Sequence, residues 1–242
     1  MVKTDILNEV KKIRNLINST KVNYPHLVSS DLQTGKFEVN KIFLSSVISK
    51  FSQINLSLIL VKSPRREDDS IILLVTNTIP LIGIKFLPDV WIATSEHVRK
   101  PHFLEKISTS KFLPTVYYSK IDKSSNSITY IFEYIKETPL SELFKYLSTK
   151  QKKTILVRLK VCIEELVTKY RLDVNVDDLS DFVLSPKDIS GIILVDYNSY
   201  FQASKLLSTE DLLRIVKHRA LKTLTKAGFK RSDVYKVLFS PE

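Results

Sequence analysis

Two changes of hydrophobic period divide this chain and restrict it to a mixed helix-and-sheet fold. As far as Phe51 the apolar residues recur at helical spacing, first Ile6, Leu7, Val10, Ile13, Leu16 and Ile17, then Ile42, Val47, Ile48 and Phe51. From Leu56 the period shortens to that of strands, with apolar runs at 58–61, 71–75 and 81–86. Helical spacing returns after Thr138 and is interrupted only by short apolar runs at 182–184 and 192–195. No internal repeat is present.

Local signals sharpen this outline. Residues 4–19 are predicted to form a helix with Thr4 as its cap, ended at Asn23-Tyr24-Pro25. After a loop around Thr34-Gly35, Asn40 caps a second helix, so residues 1–54 read as a helical extension or a small winged-helix-like module. The polar run at 62–69 is a hairpin tip, and a helix is predicted over 96–107 with Pro101 near its start. Residues 115–121 and 128–134 form a second hairpin. Thr138-Pro139-Leu140-Ser141-Glu142 starts a helix, with proline at the first helical position. The long helix at 150–170 presents Ile155, Leu159, Cys162, Ile163 and Leu166 to a core. Ser208 caps a helix that runs to about Lys226, Ala227-Gly228 ends it, and 232–238 is a last short helix.

Composition narrows the function classes. Of the 242 residues 43% are hydrophobic, enough to bury a sizeable core. The one cysteine, Cys162, excludes a disulfide framework, and no zinc or haem ligand pattern occurs. The first residues lead into a charged amphipathic stretch rather than an apolar signal core, and no apolar run approaches the ~20 residues that span a bilayer. The expectation is a soluble, cytoplasmic protein. A net charge of +11 favours an acidic macromolecular partner, either nucleic acid, an anionic membrane surface or an acidic protein. The lysines are scattered, whereas a dedicated base reader groups arginines with aromatics. Only four glycines occur, Gly35, Gly83, Gly191 and Gly228, and phosphate-cradling loops rely on glycine.

Strands, one helix, two strands and then a mainly helical region with a short hairpin is an order that resembles the protein kinases. The resemblance reaches individual residues. Leu81-Ile82-Gly83-Ile84-Lys85-Phe86 resembles the strand whose lysine reaches nucleotide phosphates, and Glu105 stands where the family's helix carries the glutamate paired with that lysine. Tyr130-Ile131-Phe132-Glu133-Tyr134-Ile135 resembles the strand and hinge that hold an adenine edge, which places Glu133 with the cofactor residues. Ile193-Leu194-Val195-Asp196-Tyr197-Asn198 is similar to the Asp-Phe-Gly motif, with Asp196 as a magnesium ligand and Asn198 in the glycine position. Anchored on the strand that follows, Asp181 matches the catalytic-loop asparagine, the second magnesium ligand.

The departures are equally specific. The first hairpin tip holds no glycine, and the register that fixes Asp181 puts Val174 and Val176 where histidine and the catalytic aspartate belong. Arg65 and Arg66 would have to replace the flap's amides, and Asp177 or Asp178 the missing base. The resemblance therefore implies an α+β, bilobal fold, with an N-lobe over 55–136 and a reduced helical C-lobe over 137–242, close in size to RIO-type and other minimal kinases. It implies a degenerate kinase, either a pseudokinase or an atypical phosphotransferase, that acts mainly by binding a partner and retains at most ATP and magnesium binding.

The bland readings compete with these. Lys85 also fits a lysine at a strand end, and Glu105 a solvated helix face. Asp173, Asp177, Asp178 and Asp188 also fit the turn and cap positions that aspartate favours. An aspartate after an apolar strand, such as Asp196, is harder to explain without a partner. In the C-terminal helix Arg214, His218, Lys222 and Lys226 recur every fourth residue beside Leu213, Val216, Ala220 and Leu224, and Lys230 and Arg231 extend the stripe. That pattern supports the alternative function, a basic nucleic-acid-binding protein without catalysis.

Overall fold

The computed structural model describes residues 2–31, 36–63, 70–88, 109–122, 124, 127–185, 191–195, 200–202 and 206–240. The expected helix over 96–107, most of the first hairpin tip, and Asp188 lie outside the described residues. The chain divides into two compact units, one formed by 1–108 with 115–135 and the other by 109–114 with 136–242.

In the first unit, α1 (Val2–Ser19), α2 (Tyr24–Leu27), a hairpin of β1 (Val28–Asp31) and β2 (Lys36–Val39), and α3 (Lys41–Gln53) precede the main sheet. Helix α1 begins before Thr4, which therefore lies inside it and does not cap it. The Asn40 cap is present, with its side chain accepting from the Phe43 amide at 3.0 Å. Ile6, Val10, Ile13 and Ile17 form the buried stripe of α1, and Leu44, Val47 and Phe51 that of α3. Leu7 and Ile42 fall off those stripes and are exposed, because period alone does not say which flanking residue faces the core.

The sheet itself is antiparallel, with five strands: β3 (Leu58–Lys62), β4 (Ile71–Val75), β5 (Ile82–Leu87), β6 (Val116–Asp122) and β7 (Ser127–Glu133), in the spatial order β3-β4-β5-β7-β6. The stripes of α1 and α3 share one core with Leu58, Ile71, Leu73, Val75, Ile82, Ile84, Phe86 and Ile131 of the sheet. Successive strand residues point to opposite faces, so Gly83 and Lys85 lie on the other side of β5 from Ile82, Ile84 and Phe86. Strands β5 and β7 are buried along their whole length, and the pairing sets Gly83 opposite Phe132. A Cβ on Gly83 would come within 2.6 Å of the Phe132 ring.

The second unit is built on α5 (Thr149–Tyr170), which follows the short α4 (Leu140–Leu143). Pro139 is the cap of α4 and not its first residue, so that helix starts one position later than predicted. Ser148 and Gln151 form a reciprocal capping box at the start of α5. Ile155, Leu159, Cys162, Ile163 and Leu166 are buried as expected, and burial pushes the Cys162 thiol far up, which makes it inert. Arg171 ends α5 in the left-handed conformation and donates to the Leu207 carbonyl at 2.7 Å and the Thr209 hydroxyl at 3.0 Å, tying that end to α6 (Thr209–Lys226).

Between these helices lie β8 (Leu172–Val174), a 3-10 turn (Leu179–Asp181), β9 (Phe182–Leu184), β10 (Ile192–Leu194) and β11 (Tyr200–Gln202), paired as β8 with β11 and β9 with β10. Ser208 caps α6 as predicted, but the buried apolar residue of its first turn is Leu212, with Leu213 only half-buried. Helix α6 ends in a Schellman motif. Gly228 takes φ +91°, its amide donates to the Thr225 carbonyl, and the Phe229 amide reaches the Leu224 carbonyl. Helix α7 (Arg231–Phe239) closes the unit, and the Lys160 ammonium donates to the Ser240 carbonyl at its end. Glu164 serves as counter-charge to both Lys160 and Lys217. Among the described residues no helix is long and apolar enough to cross a membrane.

Two stability predictions follow from this packing. Gly83→Ala should destabilise the protein by about 1–3 kcal/mol in chemical denaturation, because the ring must move off a buried strand pair. Glu164→Gln should cost about 1–3 kcal/mol in the same assay, since two poorly exposed ammonium groups lose their shared carboxylate.

Candidate functional site

Lys85 occupies the middle of β5, between Ile72 of β4 and Tyr130 of β7, and is only 3% exposed. A lysine so placed is unusual, because its ammonium loses water and must find compensation. Its face of the sheet is the one turned away from α1 and α3. Glu105, the expected partner on the following helix, lies outside the described residues.

Glu133 ends β7 and is also buried, at 6% exposed. Its carboxylate accepts from the Thr115 hydroxyl at 3.1 Å, and its amide donates to the Thr115 carbonyl at 2.8 Å. Its charge has a measurable neighbour in Tyr117, whose hydroxyl is pushed up to about 12 by burial first and by Glu133 second. Burial also raises the Tyr134 hydroxyl. The Tyr134 amide is taken by the Leu81 carbonyl at 2.8 Å. In the hinge-like stretch, then, the first backbone amide with no hydrogen bond among the described residues belongs to Ile135.

In the second unit, Asp181 closes the 3-10 turn and leads directly into β9. Its carbonyl accepts from the Val195 amide at 2.8 Å, and strands β9 and β10 pair through Phe182↔Leu194, Val183↔Ile193 and Leu184↔Ile192. The two apolar runs picked out from sequence are thus the two strands of one hairpin, and Val195 is the residue before Asp196. Asp196 itself lies outside the described residues. The Phe112 carbonyl accepts from the Leu194 amide at 2.9 Å and anchors the 109–114 segment on this hairpin.

Two of the remaining acidic residues have structural work. Asp178 caps the 3-10 turn, accepting from the Ser180 amide at 2.8 Å, and Asp173 is ion-paired with Arg219. Asp177 is exposed, while Val174 and Val176 are fully buried. Among the described residues no three His, Cys, Asp or Glu side chains gather as a metal site would require.

The C-terminal stripe is on the surface. Arg214, His218, Lys222, Lys226, Lys230 and Arg231 are all exposed. Arg214 is bonded to Asp211 at 3.0 Å, and His218 donates from Nδ1 to the Arg214 carbonyl with its ring edge-on to Phe239. Sequence reasoning named Lys230 in this stripe but not Lys152, Lys153 or Lys236, which line the same cavity as Lys230. They come from α5 and α7, so no spacing along the chain signals their convergence.

Three antiparallel strands, then a hairpin completing the same sheet, then helices enclosing a short paired hairpin, follow the order the resemblance implied except for its one helix between the strands, which lies outside the described residues. No family model and no curated protein matches the chain. Among solved structures it is similar to the kinase domain of maize SIRK1, sucrose-induced receptor kinase 1, bound to AMP-PNP, at 13% identity and a TM-score of 0.42. The match covers 70% of this chain and 57% of that one, so the chain spans little more than half of that kinase domain.

The Tyr117 environment gives a testable pH dependence. Its folded pKa lies above the ordinary tyrosine value of 10.0, so its contribution is complete below pH 10 and fades as the pH rises towards about 12. Tyr117→Phe should therefore lose less stability than the parent across that window, and tyrosinate absorbance of the folded parent should show the late-titrating group.

Proposed function

We propose that this chain is a degenerate kinase-like protein that holds a magnesium nucleotide weakly or not catalytically and acts mainly by binding an acidic partner. The observation that carries the reading is the bond from the Val195 amide to the Asp181 carbonyl. It closes the β9–β10 hairpin so that the chain enters Asp196 directly from the residue bonded to Asp181. Asp181 and the residue that follows Val195 in sequence, Asp196, are carboxylates of the kind that suits magnesium, which binds through oxygen and takes one or two carboxylates with substrate phosphates.

Lys85 supplies the matching cation for phosphate, with Glu105 as the residue that positions it. The Ile135 amide is the group suited to an adenine edge, while Glu133 shapes that stretch through Thr115. Magnesium would neutralise phosphate charge there. The groups that complete transfer are the ones missing: the flap sequence has no glycine, and buried valines occupy the positions of the catalytic histidine and aspartate. The net charge of +11 supports an acidic partner.

Calorimetry and thermal unfolding with ATP, with and without magnesium, test the reading. At about 100 times its dissociation constant the nucleotide should add about 2.7 kcal/mol of stability. That gain should vanish in Asp196→Asn and without magnesium, and no phosphate should reach a generic protein substrate. An unchanged response in Asp196→Asn would remove the metal assignment, and steady phosphate transfer would overturn the degenerate reading.

A further inference from the structure

The second unit contains a cavity of about 440 Å³ between the first turns of α5 and the start of α7. Lys152 and Lys153 approach it from α5, Lys230 from the cap position of α7, and Lys236 from the second turn of α7, with Asp233 the one carboxylate among its lining residues. The buried ring of Phe229 forms part of its wall, with the Lys152 ammonium 6.0 Å from the ring centre.

The charge of this cavity is unbalanced, unlike that of the buried cations nearby. Farther along α5, Lys160 is matched by Glu164, which also takes Lys217, and Arg219 is matched by Asp173. Among the described residues none of the four cavity lysines is within ion-pairing distance of a carboxylate, Asp233 included. Four like charges brought to one concavity repel each other and focus a positive field into it. An anion entering the cavity relieves that repulsion.

The type of cation decides which anion. Planar carboxylates are best held by arginine forks, whereas lysine acts as a point charge suited to phosphate oxygens. The cavity has lysines and no arginine. Its volume falls in the range of small-molecule sites, and its lysines come from separate elements, so a single phosphate would leave part of the charge unmatched. The Schellman turn at Gly228 is what directs Phe229 into the wall, which offers an apolar surface beside the charge.

We propose that this cavity is a binding site for a small polyphosphate-bearing ligand, independent of magnesium and of the nucleotide residues Lys85 and Asp196. Three of its four lysines were not among the candidate nucleic-acid residues, and the basic face of α6 takes no part in it.

Titration calorimetry of the full chain with inorganic tripolyphosphate, in the presence of a chelator, tests this. Saturable one-site binding is expected, with pyrophosphate weaker and orthophosphate weaker still. The double variant Lys152→Gln/Lys230→Gln should weaken tripolyphosphate at least tenfold, while the surface control Lys222→Gln/Lys226→Gln, which removes the same net charge, and Asp196→Asn leave it unchanged. Equal weakening in the surface control would overturn the site in favour of a diffuse charge effect, as would non-saturable binding. A short RNA that binds through Lys152 and Lys230 while tripolyphosphate fails to compete would also overturn it, assigning the cavity to nucleic acid. Loss of binding in Asp196→Asn would show that the ligand had been read at the nucleotide residues instead.

Discussion

The pairing of β5 with β7 is the constraint on which the first unit depends. Both strands are buried from end to end, so each carries apolar residues on one face for the α1–α3 core and must solve the other face separately. Gly83 and Lys85 belong to that second face. Glycine at 83 is a steric requirement, since the Phe132 ring occupies the space that any Cβ would need. One of the chain's four glycines is thus used in a sheet and not in a phosphate loop. With the ring seated there, Lys85 is held two residues along the same strand, flanked by Ile72 and Tyr130. A buried ammonium in a rigid central strand has little freedom to reach water. Its burial therefore depends on the same strand pair that Gly83 makes possible.

In the second unit the organising element is α5, whose lysines meet two different environments. Lys160 is turned inward, where its ammonium binds the Ser240 carbonyl and faces Glu164. A cation at the carbonyl end of α7 is favourable for the helix dipole as well as for the hydrogen bond. Lys152 and Lys153, two turns earlier, meet the opposite end of α7, where the dipole offers a positive pole and the one lining carboxylate, Asp233, is not ion-paired with them. The same run of α7 alongside α5, start to start and end to end, that explains the buried lysine thus creates the positive cavity.

Much of this was legible because local signals agreed with tertiary ones. Asn40 and Ser208 cap the helices they were expected to cap, the buried face of α5 follows its period, and both apolar runs near Asp181 and Asp196 are strands. The failures share a cause. Leu7, Ile42 and Leu213 are apolar residues beside the buried stripe of a helix, and sequence period tolerates either choice of neighbour. Thr4 and Pro139 are sound cap or first-turn residues that the chain passes or meets one step off. The lysine cavity left no trace in the sequence, because its residues lie on helices far apart along the chain and converge only after the Gly228 turn. The pairing of Asp173 with Arg219 was hidden for the same reason.

The burial of Val174 and Val176 bears on what this segment can carry. On a solvated loop polar and small residues would be interchangeable there at little cost. Instead both valines are fully buried, Val174 within β8 paired to β11 and Val176 just beyond it. A carboxylate at 176 would have to be desolvated without a partner, and Asp178 is already committed to the Ser180 amide. The segment has been absorbed into the core of the second unit. Asp181, one turn farther on, keeps a half-buried position and a backbone bond to Val195 that the hairpin needs. A carboxylate at either valine position would require rebuilding the core around β8. The segment's packing therefore leaves no place for an unpaired carboxylate at 174 or 176.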